Sequence, residues 1–137
     1  MQPEPLVIYL DENHCNNKSI LGVLARAAIR VERHLDHFER GTPDEIWLPK
    51  VGVNGWVLLT TDKRIRYRQT EKQAVIKHRI RMFYFSKNDL SGSQMAKALE
   101  IALPDIRNLC DKRQPPFFAA ITRRGEVYLR DIPHLPN

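Results

Sequence analysis

The sequence predicts an α/β domain built on a mostly parallel sheet, and three observations carry that prediction. Leu6-Val7-Ile8-Tyr9-Leu10 and Trp56-Val57-Leu58-Leu59-Thr60-Thr61 are short apolar runs of the kind produced by a strand buried on both faces. A stretch with helical apolar spacing follows the first run and leads into a second strand candidate, so the connection is a strand–helix–strand crossover. Each apolar run stops abruptly at carboxylates, Asp11-Glu12-Asn13 in one case and Asp62 in the other. Ligands of open α/β sheets gather beyond the carboxyl ends of such strands, so both aspartates fall where chemistry is done.

The elements follow in order. Ile20, Leu21, Val23, Leu24, Ala27 and Ala28 repeat at helical spacing behind asparagines that suit an N-cap, which predicts a helix over 16–28. Ile29 to His34 alternates and reads as the second strand. Leu35 to Gly41 reads as a hydrated loop, and His34, Asp36 and His37 lack a third partner at metal-ligand spacing. In Thr42-Pro43-Asp44-Glu45-Ile46-Trp47, Thr42 suits an N-cap, Pro43 the first helical position and Glu45 the third, a capping box. Ile46, Trp47 and Val51 are expected in the core, with Pro49 kinking or restarting a short helix. Asn54-Gly55 marks a turn before the apolar run at Trp56.

Thr70-Glu71-Lys72-Gln73 reads as a second capping box opening a short helix, and Ile80 to Phe85 as the fourth strand. Ser91 opens the longest helix, whose stripe (Met95, Ala98, Leu99, Ala102, Ile106, Leu109, Cys110) predicts core packing and a bend at Pro104. Pro115-Pro116 ends it. Phe117 to Thr122 and Glu126 to Leu129 flank Arg123-Arg124-Gly125 as a C-terminal β-hairpin. The tail from Pro133 to Pro136 is expected to be loose.

With 137 residues and 42% apolar content the chain suits one folded domain with a real core, and general disorder is excluded. No apolar run approaches the roughly 20 residues of a membrane span, and Asp11 interrupts the N-terminal run before it could serve as a signal peptide. Cys15 and Cys110 have no metal or redox spacing and read as reduced thiols of a cytoplasmic protein. The net charge of +6 points to an anionic partner. Eight basic residues stand between Lys63 and Arg81 against one acid, Glu71. A charge run of this kind is equally a solvated face. Here it follows directly on Asp62 and encloses Tyr67, a ring on which a base can stack.

Two apolar strands therefore deliver aspartates to one sheet edge, and the proposed capping box leaves Asp44 unexplained. Carboxylates held close together repel unless protons or a cation relieve them. An all-oxygen anionic site favours Mg²⁺ or Mn²⁺. Such an ion polarises a phosphodiester, lowers the pKa of an attacking water and neutralises charge that builds on phosphorus. Lys63, Arg64, Arg66 and Arg68 would hold a nucleic-acid backbone without reading its sequence. Asp11, Asp44 and Asp62 with that basic loop make the parts of a metal-dependent nuclease.

On these residues the chain resembles a known family. Tyr9-Leu10-Asp11-Glu12-Asn13, Gly41-Thr42-Pro43-Asp44-Glu45-Ile46-Trp47 and Gly55-Trp56-Val57-Leu58-Leu59-Thr60-Thr61-Asp62-Lys63-Arg64 look like the PIN-like domains, and most like the short VapC-related toxins. The resemblance covers nearly the whole chain, including Pro115-Pro116-Phe117. It implies a single PIN-like domain over 1–137, a three-layer α/β/α sandwich around a central, mostly parallel sheet. It also implies Mg²⁺- or Mn²⁺-dependent cleavage of single-stranded RNA, neutralisation by a cognate antitoxin protein, and a homodimer. It carries Asp11, Asp44 and Asp62 over as catalytic metal ligands, with Glu12 or Glu45 acting through water.

One departure matters. Many PIN domains place a fourth acid just beyond the third, whereas Lys63 and Arg64 follow Asp62 here. Asp89 could substitute, although it reads more readily as a turn residue. The departure leaves a second expectation open, a catalytically weak or inactive PIN-like module that binds RNA or protein. A phosphoacceptor domain of the response-regulator kind is a third class, with Lys87 after the fourth strand; the cations that follow Asp62 count against it.

Overall fold

The computed structural model describes residues 5–61 and 69–130. The elements are β1 (Val7–Leu10), α1 (Lys18–Arg26), β2 (Arg30–Arg33), a 3-10 turn (His34–Asp36), α2 (Asp44–Val53), β3 (Val57–Thr60), α3 (Gln69–Lys77), β4 (Arg81–Phe85), α4 (Gly92–Lys112), β5 (Phe117–Ile121) and β6 (Val127–Arg130). The strands form one sheet in the order β2-β1-β3-β4-β5-β6. The first five are parallel, and β6 returns antiparallel to β5, closing the expected hairpin.

Alternation along the strands sorts the core into two layers. Ile8, Leu10, Val57, Leu59, Phe83 and Phe85 face one side, where they pack with α1 and α4. Tyr9, Leu58, Met82 and Tyr84 face the other, with Trp47, Leu48 and Val51 of α2 and Val75 of α3. The result is a three-layer α/β/α sandwich, as expected for strands with no polar face. The strand order reverses between β1 and β3, because α1 carries the chain to one side of β1 and α2 carries it to the other. A crevice opens where such a reversal occurs, at the carboxyl ends of the strands.

Local chemistry sets the helix ends. Asn17 caps α1 by accepting from the Ser19 and Ile20 amides at 3.0 and 3.1 Å. Ser91 and Gln94 form a reciprocal capping box on α4. The box expected at Thr42 does not form. The Thr42 hydroxyl donates instead to the Glu39 carbonyl at 2.7 Å, Pro43 takes the cap position, and Asp44 is the first helical residue. Thr70 likewise lies inside α3, which starts at Gln69.

Neither internal proline breaks its helix. α2 runs through Pro49 and α4 through Pro104. Each proline forfeits one backbone hydrogen bond, and buried neighbours on both sides (Leu48 and Val51; Leu103 and Ile106) hold the helix across it. Ile46, expected in the core, is 57% exposed, because α2 turns Trp47, Leu48 and Val51 inward instead. Gly52 lets α2 approach α3 closely: a Cβ there would lie 2.2 Å from the His78 carbonyl oxygen.

Both cysteines are free thiols, Cys15 buried and Cys110 half-buried. Met95 packs in the core as expected, and Asp89 is exposed. No helix among the described residues is long and apolar enough to cross a membrane. The expected loose tail at Pro133 to Pro136 lies outside the described residues.

Candidate functional site

Asp11 stands one residue beyond the last β1 pairs, Leu10↔Arg33 toward β2 and Leu10↔Leu59 toward β3. Continuing both registers by one step sets His34 on one side of Asp11 and Thr60 on the other. The same alternation turns all three side chains toward α2. Asp11 is buried, with 5% exposure. Its Oδ2 accepts a hydrogen bond from the Thr60 hydroxyl, and its Oδ1 accepts from the His14 amide at 3.2 Å. A buried carboxylate needs hydrogen-bond donors in place of water, and Thr60 at the end of β3 and the turn after β1 supply them.

Asp44 comes to the same place by a different route. The β2–α2 connection returns along the carboxyl edge of the sheet, so the first residue of α2 opens onto that edge. A cleft of about 160 Å³ is lined by Asp11, Glu12, Asn13 and His34 together with Gly41, Thr42, Asp44 and Trp47. The Trp47 indole N–H donates to Asp44 Oδ1 at 3.1 Å, fixing that carboxylate from below. Glu12 Oε1 accepts from the Gly41 amide at 2.6 Å, which ties the turn after β1 to the approach to α2. Glu45 is exposed on α2 and does not line the cleft.

An aromatic floor supports this edge. The Tyr9 ring stacks between Trp47 and Trp56, with centroids 5.5 and 5.8 Å away and planes within 17°. The Tyr9 hydroxyl meets His34 Nδ1. Burial, with the Asp11 carboxylate adding to it, pushes the Tyr9 pKa well up, so the phenol keeps its proton. Burial pushes His34 down; Glu12 opposes that shift and His37 adds to it. Where the phenol donates to Nδ1, a neutral His34 carries its own proton on Nε2. His34 is 1% exposed and packs against Tyr9, Phe38 and Trp47, whereas no residue of the 35–41 loop that follows is buried.

His14 links two parts of the edge. Its amide touches Asp11, and its Nε2 hydrogen-bonds the Thr61 hydroxyl at 2.8 Å. Burial lowers its pKa, which favours the neutral ring. Thr61 immediately precedes Asp62 in the chain. Asp62, Lys63, Arg64, Arg66 and Arg68 lie outside the described residues. Of the rest of the basic run, Lys72 is buried, and Arg81 sits at the opposite end of the sheet.

Sequence reasoning brought out Asp11, Glu12 and Asp44, and the fold places all three on one cleft. It missed Thr60, His14 and His34. Thr60 had a signal, since a hydroxyl closing an apolar strand beside an aspartate-ending neighbour must point to one face or the other. His34 had only a weak one, its place just past the carboxyl end of β2.

A family model described as a PIN like domain matches residues 6–87, more than half of the chain, from β1 to just beyond β4. The chain belongs to the PIN-like domain family. No curated protein and no solved structure matches it. The match spans every element that builds the cleft, whereas α4 and the β5–β6 hairpin lie beyond it.

In this PIN-like domain the cleft presents carboxylate, amide and hydroxyl oxygens from Asp11, Glu12, Asp44, Asn13 and Thr42, a donor set that suits a hard cation such as Mg²⁺ or Mn²⁺. Among the described residues no three His, Cys, Asp or Glu side chains gather at metal-binding spacing. A hard cation that retains most of its waters needs only one or two protein carboxylates, and Asp11, Glu12 and Asp44 line the cleft.

Proposed function

We propose that this PIN-like protein is a Mg²⁺- or Mn²⁺-dependent endoribonuclease that hydrolyses single-stranded RNA in the cytoplasm, the VapC-type toxin of a toxin–antitoxin pair. The observation that supports this most is the shared cleft of Asp11 and Asp44 at the switch point of the sheet, in a chain of the PIN-like family. Asp11, Asp44 and Asp62 would hold the cation, with Glu12 contributing through water. The bound ion supplies Lewis-acid polarisation of the phosphodiester and an activated water. The chain's own groups orient it: Thr60 and the His14 amide fix Asp11, Trp47 fixes Asp44, and His34 offers an N–H toward the cleft. Lys63, Arg64, Arg66 and Arg68 hold the RNA backbone, and neutralisation falls to a cognate antitoxin acting on a homodimeric toxin.

The test is cleavage of single-stranded RNA with Mn²⁺, comparing the parent chain with Asp11→Asn, Asp44→Asn and Asp62→Asn. Each substitution should lower the rate by about 100-fold or more, since the ion's charge stabilisation amounts to several kcal/mol. Equal cutting by the substituted proteins would remove the assigned chemistry. Lys63 and Arg64, which follow Asp62 where many PIN domains place a fourth acid, favour one second reading, a PIN-like module that binds RNA or protein and does not cut. That reading predicts salt-sensitive RNA binding with no hydrolysis.

A further inference from the structure

A second cleft, larger than the first, lies at the opposite edge of the sheet, at the amino ends of β1, β3 and β4. Its volume is about 530 Å³. Leu6, Val7 and Val57 form an apolar wall, and the last turns of α4 bring Arg107, Cys110 and Asp111 to the other side. Arg81 enters from β4, in register between Val57 of β3 and Phe117 of β5. Alternation with Phe83 and Phe85 sends its side chain toward α4.

The state of these guanidiniums is unusual. Arg81 Nε is buried and has no hydrogen-bond partner. Arg33 Nε shares that condition but lies 3.4 Å from the Asp36 carboxylate. Among the described residues neither Arg81 nor Arg107 forms an ion pair. Burial pushes the Cys110 thiol up to about 11; the positive charges of Arg81 and Arg107 pull the other way, and Asp111 adds to the rise. A buried, unpartnered guanidinium N–H at a central strand position is costly, and an anion that bonds to it removes the cost.

We propose that this cleft is a binding site for a phosphomonoester of nucleoside monophosphate size, with its phosphate held between Arg81 and Arg107. A phosphomonoester carries close to two negative charges and three acceptor oxygens, which match two forked cations. The volume falls in the range of small-ligand sites, roughly 300–1,000 Å³. Leu6, Val7 and Val57 give a base or sugar an apolar surface. Asp111 and the negative end of α4 disfavour a bare anion, and they suit a ligand that brings hydroxyl donors beside its phosphate. The inference is independent of the nuclease reading, because it uses neither Asp11 nor Asp44.

The test is NMR on the full chain labelled with ¹⁵N, following the arginine Nε–H resonances at constant ionic strength. Inorganic phosphate and adenosine monophosphate are titrated separately. The Arg81 resonance should shift saturably with adenosine monophosphate and require a higher concentration of inorganic phosphate. Equal affinity for the two would overturn the nucleoside part and leave a phosphate site. Arg107→Gln, an exposed position that should not disturb folding, should weaken binding by about tenfold or more, the worth of a charge-assisted bond. Arg81→Met, followed through the Arg107 resonance, should abolish it, and Asp11→Asn should leave it unchanged. An Arg81 resonance that does not move, or binding that survives Arg107→Gln undiminished, overturns the proposal.

Discussion

The Thr60 hydroxyl donates to the Asp11 carboxylate across the join between β3 and β1. Both residues are buried, so this donor helps replace the water that Asp11 gives up on folding. Thr60→Val keeps the shape and removes the donor. Leaving a buried carboxylate short of a partner costs about 1–3 kcal/mol, so the urea midpoint should fall accordingly. RNA cleavage should drop about 10–100-fold, the usual scale for groups that orient a metal ligand. Thr60→Ser retains the hydroxyl and should recover most of both losses. Unchanged cleavage in the valine variant would mean that Thr60 does not position Asp11.

Tyr9→Phe isolates the floor of the cleft from its packing. The ring still stacks between Trp47 and Trp56, but His34 Nδ1 loses its buried donor. The expected cost is again about 1–3 kcal/mol in urea unfolding. Tyr9→Leu forfeits both aromatic contacts as well, and should cost about 1–3 kcal/mol beyond the phenylalanine variant. If the two variants were equally stable, the stacking would contribute nothing.

The centre of the sheet was legible in the sequence because β1, β3, β4 and β5 are buried on both faces, and continuous apolarity bounded by turn residues favours a strand over four or five residues. The caps at Asn17 and Ser91 were legible because each side chain finds its acceptor or donor within three residues. Thr42 failed by the same logic, since its hydroxyl had a second local partner, the Glu39 carbonyl, which the sequence does not rank. Adjacent Ile46 and Trp47 cannot both lie at the centre of one helical stripe, and only packing against β1 decides which turns inward. The place of His34 in the site was missed because its partner, Tyr9, comes from another strand. Asp11 and Asp44 were legible as candidates, one from an apolar strand ending in acid and the other from an acid that the cap did not explain.

Gly52→Ala tests the α2–α3 contact. The new Cβ would meet the His78 carbonyl oxygen at 2.2 Å, and a backbone atom cannot rotate away as a side chain does. The helices must separate, and the strain should exceed the helix-propensity gain of about 1 kcal/mol that alanine normally brings. Thermal unfolding should therefore show a net loss of about 1–3 kcal/mol. A stabilised alanine variant would contradict the close approach.

The pH dependence of stability should come in two phases. Burial holds His14 and His34 below the ordinary histidine value of 6.5. As pH falls through 6.5 the unfolded chain takes up protons first, so their stabilising contribution is complete above that value and is lost below it. Glu32 is held below its ordinary 4.5, chiefly by its hydrogen bond from His37, and its contribution is lost only at lower pH. Urea midpoints should decline from roughly pH 6.5 downward, with a further loss below about pH 4.5. His14→Gln keeps an amide that can reach Thr61 but does not titrate, so it should flatten the upper phase and spare the lower one. A parent chain equally stable at roughly pH 7 and pH 5 would exclude buried neutral histidines.

Trp47 joins the aromatic floor to the acids above it, because one side stacks on Tyr9 while its indole N–H reaches Asp44. Trp47→Phe keeps a ring against Tyr9 and deletes that N–H. The Asp44 carboxylate then loses that tether, so the effect should fall on metal use more than on folding. With an Asp44-held cation, the Mn²⁺ concentration for half-maximal cleavage should rise about tenfold or more, with less effect on the rate at saturating metal. Chelation with EDTA should abolish cleavage in both proteins, and added Mn²⁺ should raise the thermal midpoint of the parent more than that of Trp47→Phe or Asp44→Asn. An unchanged Mn²⁺ requirement in Trp47→Phe would show that the indole does not set the Asp44 carboxylate for metal binding, and the same result in Asp44→Asn would take Asp44 out of the metal site.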